Sequence, residues 1–370
     1  LFTAIWRSLR WWRLPLWIIQ LVTGAKSFAD NPILGSRFLN RLGLHAWRLK
    51  AAHAFPRSRR ARLASLIPTT LRAEFDQNGF ITIENFLPPE EFASLQSALL
   101  HSKLPTRSHQ QGDTITRRVP IGPEIMGRFP ALAAMLGSPR WTGLMAYVAA
   151  TRSKPLYYLQ TILGGIAEGL ADPQLELHAD TFHPALKAWY FLTDVPEDGR
   201  PLTYVAGSHR LSAERLAWEK RRSMEVLANG DPLSRRGSLR ISAGELHELG
   251  LPPPTVFAVP ANTLVVADTC GFHARANSHR PTTRVELWAY CRRAPFIPWV
   301  AGGLLSWAPI ADRRGDWLAM ILDCLDRKGL KKQHWKPEGL RPATEPEISP
   351  AAEVAPARIP HRAPPSSRAA

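Results

Sequence analysis

Along the second half of the chain, apolar positions recur in short, turn-bounded runs of β-branched and aromatic residues rather than at the three-to-four spacing of surface helices. The runs are Leu156 to Gly164, Glu176 to Phe182, Ala185 to Val195, Leu202 to Val205, Thr255 to Val259, Thr263 to Asp268 and Arg284 to Cys291. Turn residues such as Glu197-Asp198-Gly199 and Pro260-Ala261-Asn262 separate them. This spacing predicts a mainly β fold, a jelly-roll of antiparallel strands with flanking helices. A helical stretch from Leu211 to Leu227 interrupts it, and the following segment, Ala228 to Pro254, is long enough for a lid or rim loop.

Further upstream the pattern changes. Asn78-Gly79 predicts a turn, Phe80 to Ile83 a short strand, and Pro88-Pro89-Glu90-Glu91 a helix start, with proline in the first turn and acids near the positive end of the helix dipole. A domain boundary is placed near residue 72. Residues 1–72 then form a basic, tryptophan-rich helical extension, 73–330 the jelly-roll domain, and 331–370 a Pro/Ala-rich tail. Eight prolines between Lys336 and Ala370 leave too little apolar surface to order that tail, which is expected to have no fold.

The opening stretch, Leu1 to Val22, mixes Trp6, Trp11, Trp12 and Trp17 with Arg7, Arg10 and Arg13 before Leu14, Leu16, Ile18, Ile19 and Leu21. Arginine stems and indole rings suit a bilayer headgroup zone, so peripheral membrane contact through residues 1–22 is one reading. A helix pair packed on the barrel with a solvated basic face is the other. A signal peptide is a third, although Pro15, Trp17 and Gln20 interrupt its apolar run.

Composition narrows the class. Among 370 residues, 45% are hydrophobic and 21% charged, as in a globular protein, and no continuous apolar span is long enough to cross a membrane. Three cysteines, Cys270, Cys291 and Cys324, offer neither a disulfide framework nor a thiolate zinc site and point to a reducing, cytoplasmic compartment, with the extension peripheral on the inner face of the membrane in the first reading. The net charge of +16 is uneven, because residues 1–70 hold twelve Lys or Arg against the single acid Asp30.

The chemistry gathers around His178-Ala179-Asp180. In an extended run, residues two apart share a face, so an imidazole and a carboxylate project together. His273 follows the apolar strand Leu264-Val265-Val266-Ala267, and antiparallel pairing can bring it beside them. Two neutral imidazoles and one carboxylate hold one face of an iron(II) ion and leave other positions open. A carboxylate in the third position also leaves no vacancy for halide, favouring hydroxylation over halogenation. Arg284, eleven residues beyond His273, offers a rigid fork for a distal carboxylate. His183 and His279 lie in worse registers and are read as flanking or surface residues.

At these residues the sequence resembles the phytanoyl-CoA dioxygenase family of iron(II) and 2-oxoglutarate oxygenases, over about residues 74–295. The likeness rests on Asn78 to Pro88, on His178-Ala179-Asp180 with Trp189 and Leu192-Thr193-Asp194, on the turn Gly207-Ser208-His209-Arg210, and on His273 with Asn277, Ser278 and Arg284. It implies a double-stranded β-helix, cupin-like core, His178, Asp180 and His273 as metal ligands, and Arg284 as the anchor of 2-oxoglutarate. Gln160, Lys187 and Trp189 are expected to contact the keto acid or its pocket, and His209 to shape its turn. The implied cofactors are iron(II), 2-oxoglutarate and oxygen, with ascorbate as an added reductant, and the implied reaction releases succinate and carbon dioxide while hydroxylating a small molecule. Ala206 and Asp198 depart from the family's usual proline and asparagine without removing a ligand.

A lipid, acyl conjugate or glycolipid near a membrane is the leading substrate reading, and a soluble metabolite the second. A nucleic-acid oxygenase is disfavoured, because the basic excess comes with interfacial tryptophans rather than a recognisable nucleic-acid module. A non-catalytic metal- or ligand-binding barrel is the remaining alternative, and no protein partner is expected.

Overall fold

The computed structural model describes residues 11–166, 172–278, 280–302 and 308–344. Its strands are β1 (Phe80–Ile83), β2 (Leu104–Gln111), β3 (Thr114–Pro120), β4 (Leu156–Gly164), β5 (Leu186–Phe191), β6 (Leu202–Tyr204), β7 (Thr255–Val256), β8 (Leu264–Asp268), β9 (His273–Arg275), β10 (Thr282–Cys291) and β11 (Lys336–Arg341). The major sheet runs β1-β8-β5-β10-β4-β3-β2-β11 and the minor sheet β7-β6-β9, antiparallel throughout. The two sheets face each other, giving the expected jelly-roll core with flanking helices.

Alternation along β10 divides the molecule into layers. Val285, Leu287, Ala289 and Cys291 point outward and pack with Leu95, Leu99, Trp141 and Leu144 of the covering helices Pro89–His101 and Pro139–Val148. Arg284, Glu286, Trp288 and Tyr290 therefore point into the barrel. There Phe191, Tyr204 and Val265 pack together with Trp189, which also lines the polar site.

Several sequence expectations need correction. The strand expected at Glu176 to Phe182 does not form a ladder. His178 makes isolated bridges to His273 and Arg240, Ala179 N–H bonds Leu239 O and Asp180 N–H bonds Thr269 O, so three consecutive residues use three different partners. The run expected from Thr255 to Val259 contains only the two-residue β7, with Val259 bridging Val195. The expected lid loop, 228–254, carries the helices Pro232–Arg235 and Ala243–Glu248 and buries Leu239, Ile241 and Leu246 beneath them.

Nor is the tail uniformly without structure. β11 adds to the open edge of β2, where main-chain hydrogen bonds need no apolar side chains, and Arg117 Nε holds Glu338 Oε2 at 2.8 Å. Tail residues from 345, the first ten residues of the extension, and His279 lie outside the described residues.

The extension packs on the barrel rather than standing apart. Helix Leu44–Arg62 buries Arg48 and Arg59, and each guanidinium is satisfied by carbonyls: Arg48 by Leu21 and Ala25, both at 2.8 Å, and Arg59 by Ala150 at 2.7 Å and Pro295 at 3.1 Å. Buried cations survive only with such full hydrogen bonding. Arg60 pairs with the buried Asp268 at 2.7 Å, and His45 Nε2 meets Glu219 Oε2 at 3.0 Å. Glu219, on helix Ala213–Asn229, also receives Arg215 at 2.8 Å.

Burial pushes the Glu219 carboxyl up, but Arg215 and His45 overcome it and hold it at about 2, below its ordinary 4.5. The stabilisation is therefore present above the unfolded value and is lost as pH falls from 4.5 towards 2. Glu219→Ala should lower stability by about 3–5 kcal/mol, because it strands a buried arginine. Denaturant titrations across that pH window should show the variant lacking the part of the acid slope that Glu219 supplies.

Candidate metal centre

His178 and His273 are 95 positions apart in the chain but exchange both backbone hydrogen bonds, N–H to carbonyl at 3.0 Å each way. Directly opposed antiparallel residues place their side chains on one face, and the two imidazoles lie with centroids 4.7 Å apart. Asp180, anchored through its N–H to Thr269 O, turns its carboxylate towards them: Oδ1 is 3.8 Å from His178 Nε2 and Oδ2 is 3.7 Å from His273 Nε2. One donor atom from each residue lies within 4.8 Å of the others, the separation a single ion would span.

The tautomers are set by the backbone. His178 Nδ1 lies 2.7 Å from Glu176 O and His273 Nδ1 lies 3.0 Å from Gly271 O. A carbonyl can only accept, so Nδ1 carries the proton on each ring and Nε2 presents a lone pair. His273 Nε2 is buried and without a hydrogen-bond partner, while Asp180 Oδ2 is paired with Lys187 Nζ at 2.6 Å. An unpartnered buried acceptor is costly unless something fills the space before it, and a cation would do so.

Electrostatics keep the donors in their ligating forms. Burial, then the neighbouring His273, lowers His178 to about 3, and burial lowers His273 to about 4 against the pull of Asp180. Burial alone would raise Asp180, but Lys187 first, then His273 and His178, hold it well below the usual carboxylate range. At neutral pH the cluster is two neutral imidazoles and a carboxylate, a donor set that fits iron(II) with open coordination positions.

Beside the cluster is a cavity of about 150 Å³. Gln160, Lys187, Trp189 and Arg284 all line it, as the sequence suggests. Their hydrogen bonding was not foreseen. Arg284 Nε is held by the fully buried Glu286 at 2.9 Å and its Nη1 by Arg200 O, while Gln160 spans Glu286 at 2.5 Å and Arg118 at 2.6 Å. Lys187 is turned to Asp180.

His183 is buried and bonds Pro184 O, outside the cluster, and His209 lies beneath Gly79, also outside it. Four residues near the site were missed. Glu286 could have been found from its i+2 spacing to Arg284, whereas Arg118 lies on β3, whose polar inward positions leave no apolar alternation to read. Lys26, whose ammonium bonds the Asp180 carbonyl, and Trp335, which lines the cavity, come from segments assigned outside the domain and carry no local signal.

A jelly-roll of two antiparallel sheets enclosing two imidazoles and a carboxylate is the architecture of the non-haem iron oxygenases that use 2-oxoglutarate. Residues 75–245 of the chain match the family model of phytanoyl-CoA dioxygenase (PhyH). Among solved structures it is similar to the non-haem alpha ketoglutarate dependent epimerase SnoN from nogalamycin biosynthesis, at 21% identity over 61% of this chain and 82% of that one, TM-score 0.41. It is also similar to HygX from Streptomyces hygroscopicus with nickel and 2-oxoglutarate bound, at 18% identity over 60% and 86%, TM-score 0.40. No curated protein sequence matches the chain.

His178→Ala and Asp180→Ala should each weaken cobalt(II) binding, followed by its visible absorption, by more than the roughly 10–100-fold that loss of an outer hydrogen-bond partner costs a metal site. Retained wild-type affinity in both variants would place the metal elsewhere.

Proposed function

We propose that the protein hydroxylates a small molecule, with His178, Asp180 and His273 holding iron(II) and Arg284 gripping the distal carboxylate of 2-oxoglutarate. The observation that carries this reading is the trio of converging donors, with both Nδ1 atoms pinned and His273 Nε2 otherwise unpartnered. Iron(II) with bound 2-oxoglutarate would supply oxygen activation, one oxygen atom of O2 entering succinate as carbon dioxide leaves and the other entering the substrate.

The chain's own residues do the rest. Glu286 and the Arg200 carbonyl fix the Arg284 guanidinium by two of its nitrogens, so the fork need not be ordered when co-substrate binds. Lys187 and the two imidazoles keep Asp180 ionised. The indole rings of Trp189, Trp288 and Trp335 form part of the cavity wall.

For the substrate we favour a lipid, acyl conjugate or glycolipid met at a membrane surface. Supporting this, helix Leu14–Gln20 buries none of its residues, and Trp12, Ile18, Ile19, Phe38 and Trp47 are exposed among Arg13, Arg37 and Arg41. Exposed aromatics with cations suit an anionic headgroup layer. Among the described residues no helix is long and apolar enough to cross a membrane, so the contact would be peripheral.

Purified protein with iron(II), ascorbate and oxygen should form succinate from 2-oxoglutarate, and His178→Ala should abolish it. Wild-type protein that yields no succinate and shows no anaerobic colour on adding iron and 2-oxoglutarate would favour a binding barrel. Separately, co-sedimentation with phosphatidylserine-containing vesicles should fall at least tenfold in the double variant Ile18→Glu, Ile19→Glu. Equal sedimentation would remove the membrane from the proposal.

A further inference from the structure

Beyond the metal cavity lies a second hollow of about 260 Å³, sharing Arg118, Trp288 and Trp335 with the first as a common wall. Its remaining surface is chiefly apolar, built from Leu156, Tyr158 and Tyr290 of the inward face of the major sheet and from Leu318 and Leu322. The last two lie one turn apart on helix Arg314–Arg327, on the same face.

That helix is unusual in its packing. It carries Trp317, Leu318, Met320, Ile321 and Leu322, yet none of its residues is buried, and Leu318 remains 46% exposed beside the hollow. Polar ties at its ends hold it in place: Arg107 to Asp323 at one end, and the Arg314 guanidinium to the Lys154 carbonyl at the other. The floor is flat, with Trp288 and Tyr290 stacked at 5.6 Å and 6° between planes. Arg118 lies over Trp288 at 4.0 Å and Trp335 at 4.6 Å, so the partition between the two hollows is a cation layered on indoles.

We infer that this hollow is the subsite for the hydrocarbon part of the substrate, whose reactive carbon reaches past the Arg118–Trp288–Trp335 partition towards the metal cluster. The inference rests on the oxygenase reading and deepens it, naming the substrate class as apolar or amphiphilic rather than sugar-like. An apolar wall left facing water is stabilised when an apolar group covers it. At the ~30 Å³ that a water-sized group occupies, the space accepts about nine heavy atoms. That is the size of a medium-chain acyl group or a substituted ring, and a longer chain would continue outward along the half-exposed helix face.

The probe is 1-octanol, uncharged and sized to the hollow, with sorbitol as the polar control, titrated against full-length apoprotein while tryptophan fluorescence is followed. Trp288 and Trp335, two of the thirteen tryptophans, respond to occupancy of the hollow, and two wall variants tie the signal to it. Saturable quenching by octanol and none by sorbitol is expected, with affinity at least tenfold weaker in Leu322→Arg and in Ala319→Trp. The anaerobic spectrum with iron(II) and 2-oxoglutarate, recorded in parallel, separates the two readings. Octanol binding that both variants leave unchanged, or no saturable binding by the wild type, overturns the subsite even where that spectrum is intact. A missing spectrum alongside variant-sensitive octanol binding overturns instead the oxygenase reading, and with it the assignment of the bound hydrocarbon as substrate.

Discussion

The two-way backbone pairing between His178 and His273 is the constraint on which the site depends. It sets the two rings side by side, tilted 47° to each other, and the carbonyls of Glu176 and Gly271, each two residues before its histidine, then dictate which nitrogen of each ring is free. Because the pairing is a single bridge and not a ladder, the chain is free to turn immediately afterwards, which brings Asp180 back towards both rings. A longer strand here would continue the extended backbone and carry residue 180 along the sheet.

Around this pairing the molecule manages an excess of positive charge by burying it against backbone oxygen and a few acids. Arg48 and Arg59 dissolve their guanidiniums in carbonyl groups, while Arg60 is pinned by Asp268, which also accepts the N–H groups of Ala185 and Cys270. Asp268 thus couples the extension to the two segments that carry the histidines. Lys26 does the same more directly by bonding the carbonyl of Asp180. The extension is therefore tied to the backbone that positions the site, and its basic composition has a structural use besides any contact with a membrane.

The cavity shows the same economy. Arg284 and Arg118 are joined through Glu286 and Gln160 into one hydrogen-bonded chain across β10, β4 and β3. A buried polar network of this kind holds its members in one geometry only if each is satisfied, and a co-substrate carboxylate would enter a frame already set.

Much of this was legible in local pattern. β4 runs from Leu156 to Gly164 as its residue spacing indicates, and β8 follows its apolar run to within one residue. The spacing picked out His178 and Asp180 together, although they converge through a turn after a single bridge and not through strand alternation. Runs such as β4 and β8 are local features: a side chain's face follows from its position in an extended run, whatever the partner strand. The β2–β3 hairpin escaped notice because its inward positions, such as Thr116 and Arg118, are polar and break the apolar alternation, leaving only Gly112, at φ +59°, as a turn signal. Partners distant in the chain could not be read at all. That Lys26 meets Asp180, that Trp335 closes the cavity, and that β11 finds the edge of β2 are decided by which surfaces the folded sheet leaves open, and no residue carries that information until the sheet exists.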